Sequence, residues 1–218
     1  MLMISPPIPY ACQFASPELV REFILKTRDL TSEPCWPDYG AASPEEYAHW
    51  ALRSCGVVCV KMAVEGLTGI SPRPVMAWVR EGLALDGYRT EIRHDRPVEI
   101  GWKHAALADL ARQHGLAAEL VSHLSLDALA EHLRANRVVI ASVTSELGEE
   151  ADITRHSGHL VVVIGAELST NGEVEQIIIH NPSGHTLELQ ANAHVPAPRF
   201  GAGFSGRGII VGRQQNSH

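Results

Sequence analysis

Apolar residues recur along this chain at two spacings, and the change from one to the other divides it into two regions. Over the first two thirds they return every three or four positions. Leu19, Val20, Phe23 and Ile24 do so behind Ser16-Pro17-Glu18, which predicts a helix to about Thr27. Tyr47 to Leu52 follow Ser43-Pro44-Glu45-Glu46, a serine cap with proline at the first helical position and a glutamate three residues past the cap. A break at Ser54 precedes a helix from Cys55 to about Glu65. Further helices are predicted from Ser71-Pro72 to about Leu85, from Trp102 to near Gly115, and from Leu126 to Leu133.

The last third changes period. Val138-Val139-Ile140-Ala141-Ser142-Val143 is a continuous run rich in β-branched residues and predicts a buried strand. His159–Gly165, Val174–His180, Thr186–Leu189 and Gly208–Val211 supply the remaining strands. Asn171-Gly172 predicts a hairpin turn between two of them. Residues 1–15 read as extended, 31–42 as loop, and the alternating charges from Arg89 to Glu99 as a solvated loop. Helices followed by antiparallel strands give an α+β class, with helices packed on one side of the sheet.

Composition narrows the function. A chain of 218 residues, 45% hydrophobic and 20% charged, has room for one well-buried core, so a single domain is expected. The formal net charge of −7 leaves no basic stripe for nucleic acid or for an anionic membrane surface. No apolar run approaches the roughly 20 residues of a membrane span, and the first residues lack the pattern of a signal peptide. Cys12, Cys35, Cys55 and Cys59 are too few for a disulfide framework. Free thiols and a cytoplasmic location are expected.

One of those thiols stands at a chemically distinct place. Cys55 opens a predicted helix, where unpaired N–H groups and the helix dipole favour a thiolate. Gly56 would let a second backbone approach, Ser54 could cap the helix, and Cys59, one turn in, falls among apolar neighbours. His159 stands at the head of an apolar strand, where an imidazole is a ready base. Asn181 follows the next strand, and hairpin pairing of the two strands would return its carboxamide to the ring. Cys, His and Asn in that order make the set of a cysteine-nucleophile hydrolase. A zinc site using His156, His159, His180 and His185 competes, but His156-x-x-His159 spans a loop–strand junction without a Cys-x-x-Cys companion. Gly201-Ala202-Gly203-Phe204-Ser205-Gly206 matches a dinucleotide loop by letter only, because no strand precedes it. No metal or cofactor is expected.

Ser54-Cys55-Gly56, Gly158-His159-Leu160-Val161-Val162-Val163 and Asn181-Pro182-Ser183-Gly184 together resemble the C39-like branch of the papain-type cysteine peptidases. The resemblance implies a papain-like fold and a peptide or amide substrate. It implies Cys55 as nucleophile, His159 as general base and acid, and Asn181 as the residue that orients the ring. The family also places a glutamine shortly before the cysteine to stabilise the oxyanion. Here His49 and Trp50 occupy that neighbourhood, and Gln13 is the glutamine that could serve, which makes residues 14–50 a helical insertion. An acyl transferase on the same fold and an inactive peptide-binding relative remain alternatives.

Overall fold

Strands buried along nearly all of their length can only sit where both faces of a sheet are covered, and two such strands set this architecture. The structure is a computed structural model that describes residues 1–149, 151–156 and 158–214. In chain order its elements are β1 (Leu2–Met3), α1 (Val20–Ile24), α2 (Pro44–Ala51), α3 (Cys55–Thr68), α4 (Val75–Ala84), β2 (Tyr88–Arg93), β3 (Arg96–Trp102) and α5 (His104–Gln113). There follow β4 (Leu116–Val121), α6 (Leu126–Arg134), β5 (Val138–Val143), β6 (His159–Leu168), β7 (Val174–His180), β8 (Ala193–Pro196), α7 (Ala197–Gly203) and β9 (Phe204–Arg213).

The main sheet runs β4-β9-β5-β6-β7-β8, with β1 also paired to β6, and every pairing in it is antiparallel. All six residues of β5 and the first eight of β6 are buried. Each Val or Ile fully buried there contributes about 1.5–3 kcal/mol, so these strands are firmly held. The fold is the expected α+β arrangement of helices on an antiparallel sheet. α3 packs on β6, β9, β4 and β5, while α6 packs on β5, β6 and β7.

α3 is buried on nearly every side, which its composition of Val57, Val58, Val60, Met62, Val64 and Leu67 permits. Its two charges neutralise each other in place: Lys61 Nζ lies 2.6 Å from both carboxylate oxygens of Glu65. The α2 cap forms as its sequence predicts, with Ser43 Oγ accepting from the Glu46 N–H at 3.2 Å. The Glu46 carboxylate, however, takes the N–H of Ala42, one residue before the cap.

Three expectations are corrected, and one strand is added to them. The helix behind Ser16 is a 3-10 turn plus the short α1, and Ser16 donates its hydroxyl to Glu33 instead of capping. Arg89 to Glu99 is not a loop but most of the β2–β3 hairpin, turned by His94 and Asp95, both at positive φ. The strand expected at Thr186–Leu189 is a 3-10 turn, Leu187–Leu189, and the edge strand is β8. β4, whose exposed residues blur its alternation, was not predicted at all.

Candidate active site

Cys55 is the first residue of α3, partly exposed, as expected of a terminal thiol. Cys59 is fully buried and donates its S–H to the Leu160 carbonyl at 3.3 Å. Two details of the helix start differ from expectation. Ser54 makes no side-chain cap, because its Oγ accepts instead from the Tyr39 hydroxyl at 2.8 Å. Gly56 is approached by side chains rather than backbone: a Cβ there would lie 2.9 Å from Leu107 Cδ1 and 3.2 Å from both Leu160 Cδ1 and Trp102 Cβ.

His159 begins β6 directly after Gly158, whose φ of +113° is a turn that glycine makes without strain. Ser157, the preceding residue, lies outside the described residues. The β6–β7 register pairs Val162 with His180, so the chain beyond β7 runs back beside the start of β6. That return brings Asn181 Oδ1 to 2.9 Å from His159 Nε2. Ser183 N–H also donates to Asn181 Oδ1 at 3.1 Å, which fixes the amide with its oxygen toward the ring. Nε2 must then carry the proton, and Nδ1 presents a lone pair. Ser183 Oγ, 3.3 Å from Nε2, sits beside the same bond. Cys55, His159 and Leu160 line one cleft of about 850 Å³.

The electrostatics correct the expectation of a resting thiolate. Burial raises the Cys55 pKa, and the N–H groups of Leu160, Gly56 and Cys55 itself oppose that rise without overcoming it. Burial likewise lowers the His159 pKa to about 4, against the opposing bond to Asn181. The resting pair is therefore neutral thiol and neutral imidazole. A stability effect follows. Between the ordinary 6.5 and about 4 the unfolded chain binds a proton that the folded ring refuses. The stability tied to this neutral ring is intact above pH 6.5 and is lost as pH falls toward 4, by on the order of 3 kcal/mol. Urea midpoints of wild type and His159→Gln between pH 7 and 4 are expected to converge as pH falls. Parallel curves would contradict the buried neutral ring.

Gln13 is buried, and its Nε2 donates to the Ala51 carbonyl at 2.9 Å, four residues before Cys55. One amide N–H stays uncommitted, and Oε1 has no partner among the described residues. Gln13 does not line the cleft. His49 is exposed and stacks edge-on against Trp50 at 4.9 Å. The segment carrying Gln13 is strapped to the Asn181 loop. Gln13 N–H and the Cys12 thiol both donate to the Pro182 carbonyl, at 2.9 and 3.3 Å. The Tyr10 hydroxyl reaches the Asn181 carbonyl and Gln190 Oε1, while Gln190 Nε2 donates to Pro17 and Gly184 carbonyls. Tyr10, Ser183 and Gln190 were not singled out from the sequence. Of these only Ser183 carried a signal, its place beside Asn181 in the turn Asn181-Pro182-Ser183-Gly184.

The histidines weighed for zinc go to separate places. His156 Nδ1 donates to the Ala202 carbonyl at 2.6 Å, and His180 lies between the Ile8 carbonyl and the Asn192 N–H. Among the described residues, no three His, Cys, Asp or Glu side chains are grouped to hold a metal ion. No helix among them is long and apolar enough to cross a membrane.

Neither a protein-family model nor a curated protein sequence matches the chain. Solved structures do. A protein described as a C39-like peptidase from Bacillus anthracis superposes with a TM-score of 0.57 at 15% identity, covering 99% of this chain and 100% of that one. The peptidase domain of Streptococcus ComA, a bifunctional ABC transporter of a quorum-sensing pathway, superposes with a TM-score of 0.50 at 13% identity, covering 75% of this chain and 93% of that one. At these identities the likeness is one of fold, and the fold is that of C39 peptidase domains.

Proposed function

We propose that this chain, built on the fold of C39 peptidase domains, hydrolyses a peptide or other amide bond through a thioester on Cys55. One observation carries the reading: Asn181 Oδ1, its orientation set by Ser183 N–H, holds the His159 Nε2 proton and leaves Nδ1 free, in the cleft that Cys55 also lines. In the proposed reaction Cys55 Sγ bonds to the amide carbon as its proton passes to Nδ1. The C–N bond breaks, and the leaving amine takes that proton from Nδ1. Water then gives a proton to the same nitrogen, attacks the thioester carbon, and releases the thiol, which regains the proton.

The backbone N–H of Cys55 is the proposed oxyanion donor, with the uncommitted N–H of Gln13 as the proposed second one, although that side chain is buried and does not line the cleft. Gln13 suits this role better than His49, since its amide stands against Ala51 while the His49 ring is exposed. The same contact supports reading residues 14–50 as an insertion within a single domain, because the chain leaves at Gln13 and returns beside it at Ala51. The four cysteines are unpaired, which supports a cytoplasmic location.

Mass spectrometry after exposure to a panel of unblocked and blocked peptides, amides and esters tests the function. The expected result is an acyl adduct on the tryptic peptide holding Cys55, cleared by hydroxylamine. An adduct on another cysteine, or turnover with none, would reject the mechanism.

A further inference from the structure

The glycine-rich stretch from Gly201 to Gly206 ends α7 and then forms a wide bulge in β9. Val143 faces Phe204 and Ala141 faces Gly208, so Ser205, Gly206 and Arg207 together oppose the single residue Ser142. The bulge is tied down at three points. Ser205 Oγ donates to the Ser142 carbonyl at 2.9 Å, Arg207 N–H donates to Ser205 Oγ at 3.3 Å, and Leu124 N–H donates to the Gly206 carbonyl at 2.9 Å. Gly206 takes a φ of +72°, a left-handed turn in which a side chain would be strained. Bulges of this kind re-aim a side chain next to a site, and the one re-aimed here is Arg207.

Arg207 lines the cleft with Cys55, His159 and Ser142. It is exposed, and it makes no ion pair among the described residues. The other charges on the cleft wall cancel: Arg53 is paired with Glu99 at 2.5 Å. His104 is held uncharged at neutral pH by burial and by Arg207 nearby. The same cleft is also lined by the apolar side chains of Leu52, Ile100 and Trp102.

We infer that Arg207 determines specificity, and that the cleft takes amide substrates carrying a carboxylate close to the bond that is cut. A planar guanidinium offers two parallel N–H donors matched to a carboxylate, and here nothing in the described chain occupies them. The chain as a whole is acidic, with a formal net charge of −7, so an anion is favoured at this spot and repelled elsewhere. The carboxylate can belong to an acidic side chain or to a peptide C-terminus. The choice of amide as substrate rests on the proposed hydrolase reading, but binding of the carboxylate can be measured without it.

The test uses the full chain carrying Cys55→Ala and three small probes followed by backbone amide shifts of cleft residues. N-acetylglutamic acid α-amide has a side-chain carboxylate, its isomer N-acetylglutamine has a terminal one, and N-acetylglutamine amide has neither. At least one isomer is expected to bind roughly tenfold more tightly than the neutral amide, and which one identifies the source of the carboxylate. Arg207→Gln should erase that preference, Arg207→Lys should keep part of it, and added salt should compress it. Arg96→Gln, at the turn end of the β2–β3 hairpin and not among the residues lining the cleft, should preserve it. Equal binding of all three probes, or a preference that survives Arg207→Gln, would overturn the inference whatever becomes of the hydrolase reading. In the unsubstituted chain, the ratio of Cys55 alkylation rates by iodoacetate and iodoacetamide should fall about threefold on Arg207→Gln. An unchanged ratio would count equally against it.

Discussion

Cys55→Ala is expected to lower turnover of a cleavable amide by roughly 10⁴-fold or more, and to remove the alkylation and acylation signal from that peptide. The size of the loss follows from the mechanism: without the sulfur there is no thioester, and the remaining donors can only orient water. Cys59→Ala is the informative partner. It deletes a thiol four residues along α3 whose one hydrogen bond among the described residues is to the Leu160 carbonyl, and whose fully buried side chain does not line the cleft. It is expected to cost about 1–2 kcal/mol of stability while leaving turnover within a few-fold of wild type. Equal loss of turnover in the two variants, at temperatures where both are folded, would remove Cys55 from the role of nucleophile.

Asn181→Ala is expected to reduce kcat by about 10² to 10³-fold with little change in KM. Two N–H groups lose their acceptor in this variant, His159 Nε2–H and Ser183 N–H. The ring can then rotate, and it can also place its proton on Nδ1, where it cannot receive one from sulfur. Asn181→Asp separates orientation from mere packing. It keeps an acceptor for the ring but adds a negative charge beside it, which raises the imidazole pKa. The acid limb of kcat/KM, set in the wild type by a ring whose pKa is lowered to about 4, should move to higher pH in Asn181→Asp. A kcat within threefold of wild type for Asn181→Ala would show that the carboxamide does not position the ring.

These expectations separate what each kind of information can supply. The thiol at a helix start, the imidazole at the head of an apolar strand and the hairpin that returns Asn181 were legible because each depends on local periodicity or on one short turn. The protonation of the pair was not. Helix-end chemistry argues for a thiolate, yet burial outweighs the N–H groups that favour it, and burial belongs to the packed molecule. Ser54 shows the same limit: a serine before a helix is a natural cap, but Tyr39, brought in from a separate loop, takes its oxygen. The β2–β3 hairpin was missed because its strands are largely exposed and charged, so they lack the alternation that marks a half-buried strand.

By itself, then, the order of residues determined the class of fold, the helix that carries the thiol, and the hairpin that returns the Asn181 carboxamide to the His159 ring. Tertiary structure alone decided that Gln13 lies beside Ala51, that Tyr10 and Gln190 brace the Asn181 loop, and that a bulge turns Arg207 into the cleft. The physical reason is the range of the forces involved. Periodic burial and turn preference are expressed within a few residues, whereas desolvation and long-range hydrogen bonds exist only once distant segments share one interior.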